Sequence, residues 1–285
     1  MMRYMKWLVV LLIIGGIAWK VYDVSPTTHE DVPDAALLPT ENVCLGLNYH
    51  RVKQPNTWNK LVENVTGSSE LVRYNVYADK FEQQMTWLQE EGVHFATQAD
   101  LLGYRAGEPI PDKCVWISFD DVDHTIYENA FPILQAKQIP FTLFIITGHV
   151  GESFQNLDLA PWTELKDMQA SGLADFGTHT HDMHYVKDGG AVFLPEDMQD
   201  ELRQDLETSV AAIESELGTR VTTIAYPFGN TSDAVTETVQ DLGFEQAFIL
   251  SPNPITPDND PFYSNRYLLD AELFDFFIKP YFENV

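Results

Sequence analysis

The chain is predicted to be an α/β protein built as a (β/α) barrel, and three observations carry that expectation. Strand-like and helix-like segments alternate from about residue 40 onwards, as parallel strands joined by crossover helices require. Seven or eight such units fit into about 245 residues, the size of a barrel domain. The acidic and histidine-rich clusters follow β-branched or aromatic runs, which puts them at strand ends, where α/β folds place their chemistry.

Taken in order, the first strand spans residues 43–48 and ends at Tyr49-His50-Arg51. A helix over 78–91 buries Phe81, Met85 and Leu88 beside Trp87 and is closed by Gly92. A strand at 93–97, a short helix at 98–104 and a Gly/Pro turn lead to the strand at 115–119. A helix at 127–137, a strand at 141–147, a helix at 162–171 ended by Gly172 and a strand at 174–178 follow. The longest helix, 196–217, carries Met198, Leu202, Leu206, Val210, Ile213 and Leu217 at three- and four-residue spacing, a core-facing stripe ended by Gly218. A strand at 223–226 runs into Pro227-Phe228-Gly229, and a helix at 232–242, strands at 246–250 and 266–269 and a terminal helix complete the chain.

The bulk properties fit one large globular domain with an ample core: 285 residues, 45% hydrophobic. A net charge of −26 argues against nucleic acid or an anionic surface as partner and fits a neutral or cationic one. At the N-terminus, Lys6, an uncharged apolar run over 7–19 and Lys20 read as a signal peptide or an uncleaved signal anchor over residues 1–22. No Ala-x-Ala-like cleavage site is present, which favours the anchor, and either reading exports the rest. A polar, Pro-bearing linker is expected over 23–39 and the catalytic domain over 40–285. Cys44 and Cys114 are the two cysteines, and each sits six residues before a candidate catalytic residue, so the two occupy equivalent levels of two strands. Buried free thiols are nonetheless expected, because neighbouring parallel strands rarely offer disulfide geometry.

The chemistry resides in two clusters. Asp120-Asp121 end the 115–119 strand, and Gly177-Thr178-His179-Thr180-His181-Asp182-Met183-His184 follows some sixty residues later. One Asp and two His with a coordination position left open suit a divalent ion that activates water, and the spare Asp then acts as base. The chain thus reads as a metal hydrolase.

These residues resemble the carbohydrate esterase family 4 polysaccharide deacetylases, whose shared region is the NodB homology domain. Their Thr-Phe-Asp-Asp-Gly motif stands here as Ser118-Phe119-Asp120-Asp121-Val122, and the resemblance extends over residues 40–270. It implies a distorted (β/α) barrel, with Asp120 as general base and Asp121 as metal ligand. The family's His-Ser/Thr-x-x-His pair departs from its usual spacing here: His179 pairs with His184, five residues on, or His181 with His184, three on. The five-residue pair, His179 and His184, is preferred, because it is similar to the branch that deacetylates poly-N-acetylglucosamine in biofilm matrix. The family's Arg-x-Pro-Tyr becomes Ala225-Tyr226-Pro227-Phe228, without the arginine. The resemblance gives the Tyr226 backbone N–H the oxyanion role, with Arg266 as replacement for the absent charge. It also gives His50, in Tyr49-His50, the role of general acid. His181, His124 and Trp162 are candidate supporting or substrate-groove residues.

The resemblance implies one divalent ion, Zn2+ by default with Co2+, Ni2+ or Fe2+ accepting the same donors. It implies a poly-β-1,6-N-acetyl-D-glucosamine N-deacetylase, extracytoplasmic and membrane-anchored or secreted, acting at the cell surface on an N-acetylglucosamine polymer. The polymer's synthesis and export machinery is a further expected partner. The alternatives are a peptidoglycan or chitin deacetylase, and a catalytically silent glycan-binding module.

Overall fold

The computed structural model describes residues 32–55 and 74–283. The expected anchor over 1–22 and most of the linker lie outside the described residues. Among the described residues, no helix is long and apolar enough to cross a membrane.

An eight-stranded parallel sheet organises the domain. Its strands are β1 (Cys44–Tyr49), β4 (His94–Ala96), β5 (Cys114–Asp121), β6 (Phe141–Ile145), β9 (Ala174–Thr178), β12 (Thr223–Ala225), β13 (Gln246–Phe248) and β14 (Tyr267–Leu268). The order is β13-β12-β9-β6-β5-β1-β14, with β4 also paired to β5. β4 takes residues 114–116 of β5 and β6 takes residues 118–121, so two strands share β5 at different heights. That sharing is one source of the distortion.

The ring is closed by residues 261–268. The Ser264 amide donates to the Ala247 carbonyl and the Ile249 amide to Ser264, while Tyr267 pairs with Leu47 of β1. Short pairs β2–β3 (Arg51–Lys53, Asn75–Tyr77), β7–β8 (Ser153–Phe154, Leu157–Asp158) and β10–β11 (Val186–Lys187, Gly190–Ala191) decorate the strand exits.

The crossover helices are α1 (Ala78–Glu90), α2 (Gln98–Arg105), α3 (Phe131–Lys137), α4 (Trp162–Ala170), α5 (Gln199–Leu217) and α6 (Asp233–Asp241). Thr97 and Asp100 form a capping box at the start of α2, and Gly218, at φ 64°, ends α5 in the left-handed region. The α5 stripe buries Leu202, Leu206, Ile213 and Leu217 but leaves Met198 and Val210 half-buried, because residues 196–198 form a separate 3-10 turn and Val210 lies at the edge of the face. The 127–137 helix is a π turn over Ile126–Ala130 followed by α3. Residues 34–39, expected as linker, are docked: Asp34 caps a 3-10 turn over Ala35–Leu37, and the Tyr281 hydroxyl donates to the Pro39 carbonyl. The described residues from Pro33 onwards accordingly form one compact unit.

Strand parity decides what fills the barrel. On β5, alternate residues Cys114, Trp116, Ser118 and Asp120 share one face, as do Cys44, Gly46 and Asn48 on β1. The Trp116 ring stacks on Phe248 at 4.4 Å and meets Phe144 edge-on at 6.1 Å. Contacts of that kind add ~0.5–1.5 kcal/mol each beyond burial. On the other face, Phe119 packs against Tyr49, Phe81 and Phe141, sealing the strands to α1. Gly177 has no room for a side chain: a Cβ there would lie 2.5 Å from the Phe144 ring.

The expected free thiols are instead a disulfide, Cys44–Cys114, with Cα atoms 4.5 Å apart. The two are directly opposed partners on β1 and β5 and both point to the same face, so the parallel register itself brings the sulfurs together. The bond closes a separation of 70 residues. Replacing both cysteines by alanine is expected to lower stability by about 2–4 kcal/mol, read from urea unfolding midpoints under oxidising conditions. An unchanged midpoint would show that the bridge restrains nothing.

Candidate metal centre

The two carboxylates of Asp120-Asp121 are separated by backbone conformation. Strict alternation would send Asp120 inward and Asp121 outward. Asp121 and Val122, however, lie in the left-handed region at φ 65° and 63°, and the Val122 amide turns back onto the Asp120 carbonyl at 2.7 Å. That turn brings Asp121 to the same strand exit. A β-branched residue at positive φ is a strained one, which accounts for the glycine in the motif this segment resembles.

Asp120 is 1% exposed and makes a bidentate ion pair with Arg266, with Nη1 to Oδ1 at 2.6 Å and Nη2 to Oδ2 at 2.9 Å. Arg266 is itself fully buried; its Nη1 also reaches Ser118 Oγ, its Nε reaches the Ile249 carbonyl, and its guanidinium lies over Phe144 and Phe248. The position opposite is glycine: a Cβ on Gly46 would meet the Asn265 carbonyl at 2.9 Å and Arg266 Cγ at 3.2 Å. Burial by itself would raise the Asp120 carboxyl. The Arg266 guanidinium outweighs it, helped by His179 and His50, and holds the group well below the usual carboxylate range.

Asp121, His179 and His184 converge beside this pair. Asp121 Oδ1 lies 3.5 Å from His179 Nε2 and 3.3 Å from His184 Nε2, and one ligand atom from each of the three residues falls within 4.8 Å of the others. All three are buried. His179 is held by the sheet: its amide donates to Ile145, and its Nδ1 bonds the Ala225 carbonyl at 2.7 Å, which leaves Nε2 as the free donor pair. Burial lowers both imidazoles to about 4, so both are neutral ligands near pH 7. Asp121 Oδ1 is buried with no hydrogen-bond partner. An orphaned carboxylate oxygen facing two neutral imidazole nitrogens fits a divalent cation and is costly without one.

His184 lies outside any strand. Its ring contacts His179 at 4.9 Å, Phe228 at 4.6 Å and Phe154 at 6.2 Å, and its carbonyl accepts from Gln155. The β7–β8 hairpin that supplies Phe154 and Gln155 is also reached by Arg51, whose Nη1 lies 3.5 Å from the Asn156 carbonyl. His50 follows Tyr49, the register partner of Phe119, and so stands at the same strand exit as Asp120. Burial lowers its imidazole, opposed by the charges of Asp121 and Asp120, and its ring packs edge-on against Tyr74 at 4.7 Å.

The remaining expected residues separate from this group. The Tyr226 N–H donates to the Phe248 carbonyl at 3.0 Å within the β12–β13 pairing, so that donor is already engaged and the oxyanion role expected of it is not available. His124 is bound by Glu164 at 2.8 Å and Glu128 at 3.2 Å; the Glu164 bond raises its imidazole. His181 directs Nδ1 to the Thr147 hydroxyl. Trp162 is the half-buried first residue of α4. Phe154, Gln155 and Asp205 belong to no motif, and only the fold brings them to His184 and its loop, whereas Phe228, which packs on His184, stands in the Ala225-Tyr226-Pro227-Phe228 segment at the place of the motif's tyrosine.

A parallel barrel with an Asp-His-His group that could hold a metal ion and a buried Asp–Arg pair at its strand exits has the makings of a hydrolytic centre. The family model described as polysaccharide deacetylase matches residues 107–247. The poly-beta-1,6-N-acetyl-D-glucosamine N-deacetylase of Staphylococcus aureus strain MRSA252 is 38% identical over 251 residues, covering 88% of this chain and 87% of that protein. The enzyme of the same name from Staphylococcus epidermidis is 34% identical over 240 residues, covering 84% and 83%. Among solved structures, IcaB from Ammonifex degensii superimposes with a TM-score of 0.73 at 28% identity, covering 85% of this chain and 97% of that one. The chain belongs to the polysaccharide deacetylase family.

Two outcomes follow from the electrostatics. Arg266→Met strands Asp120 as a buried unpaired charge and is expected to cost about 3–5 kcal/mol in urea unfolding, most of it recovered in the Asp120→Asn/Arg266→Met double variant. A double variant no more stable than the single would contradict the pairing. In metal-free protein, the unfolded chain takes up protons on His179 and His184 below about pH 6.5 that the folded state refuses until about pH 4. Stability therefore falls as pH drops through that window, by about 1.4 kcal/mol per pH unit for each histidine. The wild type should lose stability more steeply there than a His179→Gln/His184→Gln variant, and parallel curves would refute the assignment.

Proposed function

We propose that this protein removes N-acetyl groups from poly-β-1,6-N-acetyl-D-glucosamine at the cell surface, using one divalent cation held by Asp121, His179 and His184. The observation that carries the reading is the buried trio with its orphaned Asp121 oxygen, set beside a carboxylate that an arginine keeps ionised. The names of relatives 34–38% identical over most of their length support the substrate. Zn2+ suits a donor set of one carboxylate and two imidazoles, and Co2+, Ni2+ or Fe2+ accept the same donors. The disulfide supports an extracytoplasmic location, since such bonds persist in oxidising compartments. Membrane attachment through residues 1–22 and delivery of the polymer by its export machinery complete the reading.

When bound, the cation supplies Lewis acidity, polarising the acetyl carbonyl and acidifying water. Asp120 accepts the proton of the attacking water. Arg266 keeps that carboxylate ionised and aimed by gripping both its oxygens. A carboxylate held this low is a weak base, matched to an acidic proton rather than to that of bulk water. His50, at the adjacent strand exit, passes its proton to the departing amine from the imidazolium form, which the neighbouring Asp121 and Asp120 charges favour against burial. The amide of Phe228, a residue on the turn after β12 whose ring packs on His184, takes the oxyanion role in place of the engaged Tyr226 amide.

The two carboxylates are separable. Asp120→Asn should retain the metal and lose acetate release by a factor of about 10²–10⁴, whereas Asp121→Asn should lose both; metal content measured beside acetate release overturns the assignment if the two behave alike. His50→Ala should lower kcat by a similar factor without lowering metal content, and polymer turnover at the wild-type rate would end its role as acid.

A further inference from the structure

His179 is fixed by the sheet, but His184 stands five residues on in an irregular loop. Two imidazoles four apart on a helical turn are set by the helix itself; this pair is not. Ordering loop residues costs conformational entropy, so some other element must hold residues 180–183 in one conformation.

That element is α5. The Asp205 carboxylate accepts the amides of both His181 and Asp182, each at 2.7 Å, one on each oxygen. Thr180 precedes them in the left-handed region at φ 73°, and successive N–H groups after such a residue form a concave anion site, which Asp205 fills from outside the loop. One helical turn along, the Ser209 hydroxyl is fully buried and bonds Thr178 at 2.6 Å and Thr147 at 2.9 Å. The Thr147 hydroxyl in turn bonds His181 Nδ1, and the Thr147 and Gly148 amides donate to the carbonyls of Thr180 and His181. A Cβ on Gly148 would lie 2.5 Å from the His181 oxygen, so the approach is close enough to exclude any side chain there.

We propose that Asp205, seconded by Ser209, is the positioning residue of the metal centre. It locks the 180–183 turn so that His184 meets Asp121 despite the five-residue spacing. The inference rests on the reading of Asp121, His179 and His184 as metal ligands. Neither Asp205 nor Ser209 touches a ligand atom; Asp205 acts through the loop amides and Ser209 through the hydroxyls of Thr178 and Thr147.

The test uses full-length wild type, Asp205→Ala, the near-isosteric Asp205→Asn, Ser209→Ala and, as control, His179→Ala. Amide exchange is measured at His181 and Asp182 in the metal-free state, Zn2+ affinity by chelator competition, and coordination by the visible absorption of the Co2+ form. Asp205→Ala should speed exchange at both amides, weaken Zn2+ binding about 10–100-fold and reduce the Co2+ band. Asp205→Asn, which keeps one acceptor oxygen, should fall between it and wild type, and it decides the matter if the alanine variant does not fold. Wild-type Zn2+ affinity and Co2+ spectrum in Asp205→Asn and Asp205→Ala, whatever their thermal stability, would make Asp205 a merely structural residue and overturn the proposal. Zn2+ binding by His179→Ala as tight as wild type would instead defeat the ligand assignment, and the positioning role with it.

Discussion

The buried pair of Asp120 and Arg266 is the interaction on which the rest of this structure depends. Asp120 comes from the central strand β5, and Arg266 from the segment that closes the ring between β13 and β1. The pair therefore joins the barrel's seam to its centre. Removing two charges from water is expensive, and a hydrophobic pair would hold the seam at less cost. What the ion pair adds is a carboxylate fixed in direction and charge, with the aromatic floor of Trp116, Phe144 and Phe248 beneath it. Gly46 leaves the space that this geometry requires.

Parity and its single interruption generate the site. Along β5 the interior face carries a disulfide sulfur, an indole, a hydroxyl and a carboxylate in succession, a passage from structural to chemical residues over one strand. β1 runs beside it in register from Cys44 to Tyr49, and His50 follows. The interruption at Asp121 and Val122 delivers a second carboxylate to the same exit, so two chemically identical neighbours acquire different surroundings. One is saturated by arginine; the other keeps an oxygen with no partner. Environment, not residue type, separates their roles.

Much of this was legible in the sequence, and the exceptions have physical reasons. The alternation of elements gave the barrel because each strand carries a local apolar signal, and the motif residues Asp120, Asp121, His179 and His184 are recognisable by type and spacing. Arg266 could be named as a replacement charge, but its grip on both Asp120 oxygens depends on ring closure between residues far apart in the chain. The disulfide runs against the general rule about parallel strands, and its one trace in the sequence is the equal offset of Cys44 and Cys114 from His50 and Asp120. A one-dimensional motif does not reveal that the Tyr226 amide is spent on a sheet partner. Asp205 was invisible for another reason: a lone carboxylate in an amphipathic helix reads as solvated surface until the loop amides above it are seen.

The account centres on a single claim, that hydrolysis requires a cation at the Asp121, His179 and His184 trio. Acetate release from poly-β-1,6-N-acetyl-D-glucosamine oligomers, followed as chelator-stripped protein is titrated with Zn2+, tests it most directly. Activity should be absent in the stripped protein and return in proportion to added metal, reaching its plateau at one equivalent per chain. Undiminished acetate release from metal-free protein, or a plateau requiring two equivalents, would contradict it.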